Sequence, residues 1–359
     1  MKKPLYVTRS FLPPLNEYTK LLKDVWASGV LTNDGKYLRL LEQKLRELAG
    51  CRHALCVSNG TIALQAAIKA LNVSGEIITT PFSFIATTSS IMWEGCKPVY
   101  ADIDPGTLNI DPAQIIKKIT RKTRAIMAVH VYGNPCDTSA IGKIAKEYGL
   151  KVIYDASHAI GINYEGKPLF AYGDVSTTSF HATKIINTAE GGAVFTNSSR
   201  VARELAFKRN FGYSNYKILS LGINGKMSEL NAALGVAGFK YLNYNLKKRK
   251  AAFELYRKLL KDNFRISYQE FNAQQNYAYF PVIFRSNSLR EKSVKALNKA
   301  NIFPREYFSP SLELVYGKKI TCPVSHDISQ KVLCLPLSVH ITAADIKRVT
   351  EIVNNACGL

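Results

Sequence analysis

The sequence predicts an α/β fold: a mostly parallel central sheet with helices on both faces, followed by a small α+β domain at the C-terminal end. Three observations carry this expectation. Short apolar strand patterns alternate with helical ones between residues 53 and 196, the spacing of parallel strand–helix–strand units. A chain of 359 residues exceeds what one core usually organises. The composition also shifts near residue 246, so the chain divides into a large domain, 1–246, with a helical N-terminal segment, and a small domain, 247–359.

Taken in order, Leu15, Tyr18, Leu22, Val25 and Trp26 have helical spacing, and Ser28-Gly29 ends that helix. Leu38, Leu41, Leu45 and Leu48 mark a second helix, closed by Gly50, and V-L-T-N-D-G-K between the two is a turn-rich loop. Residues 53–57 read as a strand and 61–71 as a helix. Residues 76–80 form the next strand, and P-F-S-F-I-A-T-T-S-S-I-M-W leads from it into a helix. Residues 98–103 and 125–131 are further strands. Asp111-Pro112 starts a helix between them, with Pro in the favoured first turn. A helix over 139–148 ends at Gly149.

The apolar runs Val152-Ile153-Tyr154, 175–180 and 193–196 complete the strands. Residues 211–226 form a long Gly/Asn-rich loop, and such loops in compact domains usually carry function. Residues 227–260 read as one long helical pattern whose Tyr241 and Tyr244 belong to the core or a dimer interface. Beyond it, 264–286 and 302–307 read as strands, and 289–299 and 342–355 as helices.

Composition excludes several classes. The formal net charge is +21, but the positives are spread, with clusters only at Lys247-Lys248-Arg249-Lys250 and Arg121-Lys122-Thr123-Arg124 beside helical patterns. No basic stripe with interleaved aromatics appears, so the charge speaks for solubility and an anionic small substrate, not nucleic acid. Seven scattered cysteines with no C-x-x-C pair imply a reducing compartment and no structural metal. No apolar run is long enough for a membrane span, and M-K-K-P-L-Y-V-T-R lacks the apolar core of a signal peptide, so a soluble, cytoplasmic protein is expected.

The chemistry concentrates in K-V-I-Y-D-A-S-H-A-I-G and D-V-S-T-T-S-F-H-A-T-K-I-I-N-T-A-E-G-G. One apolar strand delivers Asp155 to its carboxyl edge, and the next delivers Ser179 and Lys184. Ligands of parallel sheets sit beyond those edges. A lysine amine forms a Schiff base with an aldehyde cofactor, while an ionised carboxylate keeps a pyridine nitrogen protonated so that the ring accepts electrons. That pair suits pyridoxal 5′-phosphate. Earlier, Ser58-Asn59-Gly60-Thr61 joins a strand to a helix, where free backbone N–H groups and the positive helix end can hold a phosphate. Taken alone this turn is an ordinary helix cap. Beside Asp155 and Lys184 it reads as a phosphate cradle made by Gly60 and Thr61.

The motifs S-N-G-T-I-A-L, Y-D-A-S-H-A and S-F-H-A-T-K-I-I-N-T-A-E-G-G resemble those of the sugar aminotransferases of the DegT/DnrJ/EryC1/StrS family, and the similarity runs from the first helix to the last. The resemblance implies an aspartate-aminotransferase-like, fold type I architecture and a homodimer with its active site at the subunit interface. It implies that Lys184 anchors the cofactor and moves protons, that Phe84 stacks on the cofactor ring, that His158 contacts its 3′-oxygen, and that Ser179 holds its phosphate. Asn224 would reach the phosphate in the neighbouring subunit. Thr32, Asn33 and Tyr307 would contact the sugar. Lys226 stands where many members have Arg and lacks the bidentate fork for a nucleotide phosphate. His181 lies at a position often aromatic in the family, and its role is left open; Glu190 is assigned no chemistry.

The substrate class implied is a nucleotide-linked 4-keto-6-deoxyhexose, with glutamate as amino donor. H-V-Y-G-N-P-C-D, G-I-N-G-K-M and C-L-P-L look most like enzymes that aminate C4 of dTDP-4-keto-6-deoxyglucose, whose product would serve surface polysaccharide such as lipopolysaccharide O-antigen. Amination at C3 uses the same apparatus and stays an alternative. Lys184 argues against the family's dehydrating group, which carries His there. An alternative of another class is a non-catalytic regulator or nucleic-acid-binding protein on the same fold.

Overall fold

The computed structural model describes residues 3–214, 217–317 and 319–359. Its centre is a seven-stranded sheet in the order His53–Val57, Gly192–Thr196, Val175–Ser179, Lys151–Asp155, Thr123–Val129, Glu76–Thr79, Lys97–Tyr100. Every neighbouring pair is parallel except the two made by Gly192–Thr196, which runs against both its partners.

Alternation of side chains along these strands explains why both faces are covered. Leu55, Val57, Ile77, Met127, Ile153 and Val194 point to one side, into a cluster with the helix Gly60–Ala70. Their neighbours point to the other side. There Ala54, Cys56 and Phe195 meet Leu41 and Leu45 of the helix Lys36–Ala49 and Ala232 and Val236 of the helix Glu229–Phe239. Ile126, Ala128 and Tyr154 meet Ile141 and Ile144 of Thr138–Tyr148.

A separate cluster gathers Phe253, Tyr256, Phe280, Phe284, Leu333, Val349 and Val353 around a three-stranded antiparallel sheet, Ile266–Ser267, Phe280–Phe284 and Val332–Leu335. The first residues of the chain join this end. Leu5–Tyr6 pairs in parallel with Ile302–Phe303, and Leu5 packs on the same cluster.

Four expectations about elements need correction. The continuous helix expected over 227–260 is two, Glu229–Phe239 and Leu242–Leu259, broken at Lys240-Tyr241. The first buries Ala232 and Val236 under the large sheet and the second buries Phe253 and Tyr256 in the C-terminal cluster, so one straight rod could not serve both. Glu17 fixes the break: Lys240 pairs with it at 2.8 Å, and the Tyr241 hydroxyl donates to it.

The strand expected over 264–286 survives only as Ile266–Ser267 and Phe280–Phe284. Between them Gln269 and Asn276 spend their amides on carbonyls of Thr107 and His158, at 2.6 and 2.7 Å, in place of a ladder. Strands expected over 98–103 and 302–307 stop at Tyr100 and Phe303. The helices Ser199–Lys208 and Pro323–Lys331 and the strand Val332–Leu335 were not expected. The loop expected over 211–226 holds the short pair Tyr213–Ser214 and Lys217–Ile218, while residues 215 and 216 lie outside the described ones.

Candidate active site

The cofactor-sized feature of this fold lies beyond the carboxyl edge of the central strands, where the expected chemistry was located. At the end of His53–Val57 the chain turns into the helix Gly60–Ala70. Asn59 is fully extended and caps that helix, its side chain accepting from Ile62 N at 2.8 Å. A Cβ on Gly60 would fall 2.8 Å from the Cβ of Ser179. The close approach of this turn to the end of the Val175–Ser179 strand therefore needs glycine. Thr61 stays exposed, its hydroxyl free to add to the helix N-terminus.

Asp155 is buried and held by three donors. Thr87 Oγ1 donates to its Oδ2 at 2.8 Å, while Ser157 donates to Oδ1 through its hydroxyl at 2.6 Å and its backbone N–H at 3.2 Å. Three donors to one carboxylate fix its orientation. His158 Nδ1 accepts from the Tyr132 backbone N–H at 3.2 Å, which leaves the ring proton on Nε2. Burial, and then the nearby Lys184 cation, hold that imidazole well below the usual histidine range, so it is a neutral donor.

Lys184 follows its strand through a turn in which its N–H donates to His181 O at 2.9 Å. Burial lowers the amine to about 8, against the opposing pull of Asp155. A lysine poised there can be a free base near neutral pH.

Gly60, Thr61, Phe84, Asp155, His158, Ser179, Lys184 and Tyr307 all line one cavity of about 250 Å³. His181 and Glu190 line it too, with His181 Nε2 3.7 Å from Glu190 Oε1 and both side chains about half exposed. Phe84 stands half exposed at the start of the helix Ile85–Trp93.

Four expected residues lie outside this cavity. Thr32 and Asn33 occupy an exposed turn where Asn33 and Asp34 both have positive φ. Asn224 is exposed and bridged to Asn210, and Lys226 donates to Asn210 Oδ1 at 3.0 Å while its amine rests 4.8 Å from the centre of the Phe211 ring.

Residues that the sequence did not single out complete the site. Ser157 had a signal, a hydroxyl two positions after the carboxylate in Y-D-A-S, where a local turn brings the two together. Thr87 sits 68 residues from Asp155 along the chain, and Tyr279 and Phe308 arrive from the C-terminal half, so no local pattern announces them.

The residues present fit pyridoxal phosphate by three separate observations: a strand-to-helix turn so close to Ser179 that residue 60 must be glycine, a carboxylate held in place by three donors, and a buried amine lowered to about 8. Comparison with known proteins agrees. The chain is 42% identical to a dTDP-4-amino-4,6-dideoxy-D-glucose transaminase of Shigella dysenteriae, over 98% of its own length and 99% of the relative's. It is 37% identical to the Escherichia coli protein of the same name, over 98% of each. Among solved structures it matches that of DesI in the presence of its TDP-sugar product with a TM-score of 0.96 at 31% identity, covering 99% of this chain and 94% of the other. The family profile spans residues 15–354, and its members depend on pyridoxal phosphate. The chain belongs to the DegT/DnrJ/EryC1/StrS aminotransferase family.

Proposed function

We propose that this chain transfers an amino group from glutamate, by way of pyridoxal 5′-phosphate, to C4 of dTDP-4-keto-6-deoxy-D-glucose. The product would be dTDP-4-amino-4,6-dideoxy-D-glucose, for surface polysaccharide such as lipopolysaccharide O-antigen. The observation that carries the reaction class is the meeting of Lys184 and Asp155 in one cavity bounded by the Gly60 turn. The sugar and the position aminated rest on near full-length likeness to transaminases of that product. The same likeness does not favour the regulator or nucleic-acid-binding reading.

When bound, the cofactor supplies an electron sink for the bond broken at the donor's α-carbon. The chain's residues do the rest. Lys184 would anchor the aldehyde, and its amine, lowered by burial to about 8, would move the proton taken from the donor α-carbon as general base. Asp155, held by Thr87 and Ser157, would pair with the ring nitrogen. His158 would donate Nε2–H to the 3′-oxygen, Phe84 would stack on the ring, and Gly60, Thr61 and Ser179 would hold the phosphate. The same residues would serve the amination of the sugar once the keto acid has left.

In this reading the enzyme is a cytoplasmic homodimer with the site at the subunit interface. Ile218, Leu219 and Leu221 are exposed on the loop that leads to Asn224, an apolar surface of the kind a second copy covers. Asn224 would then serve the neighbouring subunit's phosphate, Lys226 the nucleotide, and Thr32, Asn33 and Tyr307 the hexose. The division at residue 246 falls inside the helix Leu242–Leu259, whose start packs under the large sheet and whose end packs in the C-terminal cluster. No described helix is long and apolar enough to cross a membrane.

The test is incubation with glutamate and a panel of nucleotide-linked ketosugars, with the new amine located by NMR. A C4 amine on the dTDP sugar is expected. An amine at C3 would overturn the position, and no turnover by cofactor-loaded protein would overturn the function.

A further inference from the structure

Tyr279 is a residue that neither the sequence motifs nor the family resemblance assigns. It lines the same cavity as Lys184 and also a water-sized hollow of about 20 Å³ beside that lysine. Two buried polar side chains fix the segment that delivers it. Asn276, 2% exposed, donates to His158 O at 2.7 Å and Ile160 O at 2.9 Å while its own oxygen accepts from Ala278 N at 3.1 Å. From the other side Arg249, 4% exposed, donates to Ala278 O at 3.2 Å and Leu337 O at 3.3 Å.

A buried guanidinium bonded to carbonyls and facing no carboxylate among the described residues is costly to keep. Here its effect is to hold the backbone on which Tyr279 stands.

The ring so placed meets His158 edge-on, at 4.8 Å and 67°, and Tyr307 at 5.8 Å and 90°. Tyr279 and Tyr307 thus make a corner of two perpendicular rings. Such a corner suits the apolar face of a pyranose, whose C–H groups pack on aromatic surface while its hydroxyls look for donors. The Tyr279 hydroxyl has no hydrogen-bond partner among the described residues. Burial raises its phenol above the ordinary range, so the oxygen keeps its proton.

We propose that Tyr279 is a substrate-contacting, specificity-determining residue whose phenol donates a hydrogen bond to an oxygen of the hexose, with Tyr307 forming the second wall. This rests on the nucleotide-ketosugar reading given above.

Tyr279→Phe removes one oxygen and leaves the ring packing, so the variant folds. Holoenzyme is studied in its two half-reactions, glutamate conversion followed at the cofactor absorbance bands and amination of dTDP-4-keto-6-deoxyglucose followed by product. The expected result is a roughly ten-fold higher KM for the ketosugar, the size of one neutral hydrogen bond, with the glutamate half-reaction changed less than about two-fold. An unchanged ketosugar KM would overturn the inference and leave the function standing. Equal slowing of both half-reactions would also overturn it, because Tyr279 would then act through His158 on the cofactor. Wild-type protein that aminates no ketosugar would overturn both.

Discussion

Thr87 donates its hydroxyl to Asp155 Oδ2 at 2.8 Å, joining the helix Ile85–Trp93 to the end of the strand Lys151–Asp155. Thr87 also shares a hydrogen bond with Ser83 at 2.7 Å, so the carboxylate is held by a short buried chain of hydroxyls. Thr87→Val keeps the shape and removes the donor. A hydrogen bond to a charged group contributes about 1.5–3 kcal/mol, so the variant should bind pyridoxal phosphate roughly ten- to a hundred-fold more weakly. An absorbance titration of cofactor-free protein checks this, and unchanged affinity would show that Ser157 alone suffices.

Lys184 sets a pH dependence whose sign follows from burial. Its amine sits near 8 in the folded chain, against about 10.4 for an unperturbed lysine. Between those values the unfolded chain binds more protons, so this group's contribution to folding stability rises with pH across the window. Cofactor-free Lys184→Met, which buries no charge, should be more stable than wild type at pH 7.5. That advantage should shrink by pH 10 in matched denaturant melts, and an advantage independent of pH would contradict the account.

Gly60→Ala places a methyl 2.8 Å from the Cβ of Ser179, closer than side chains tolerate. The helix or the strand end must shift, at about 1–3 kcal/mol. Thermal melts should show the loss. Cofactor retention through dialysis should fall further than in a variant of equal stability loss elsewhere, because the shifted turn is the one proposed to hold the phosphate.

Glu229 predicts a stability effect far from the cavity. Its buried carboxylate accepts from the backbone N–H groups of Tyr37 and Leu38, at 2.7 and 2.8 Å, capping the helix Lys36–Ala49 from another element. Glu229→Ala would leave both donors unpaired and should cost about 3 kcal/mol, read as a lower denaturant midpoint with an unchanged slope.

What the chain announced in advance was whatever its neighbours along the backbone determine. Strands 53–57 and 193–196, the caps at Gly29, Gly50 and Gly149, and the order of Asp155, Ser179 and Lys184 follow from local pattern and turn chemistry. The break at Lys240-Tyr241 did not, because the cause is Glu17, more than two hundred residues away. Residues 264–286 read as strand, since nothing beside Gln269 and Asn276 reveals that their amides serve the carbonyls of Thr107 and His158. The aromatic wall of Tyr279, Tyr307 and Phe308 is likewise invisible locally, being assembled only when the C-terminal end packs against the sheet.

The pairing of Leu5–Tyr6 with Ile302–Phe303 bears on how the protein is made. The strand those two residues dock on is translated some three hundred residues after them. At typical synthesis rates of about 5–20 residues per second, Leu5–Tyr6 waits on the order of 15–60 seconds without its partner. That strand is thus secured late, and bulk attached ahead of it would burden the closing step of assembly more than the opening one.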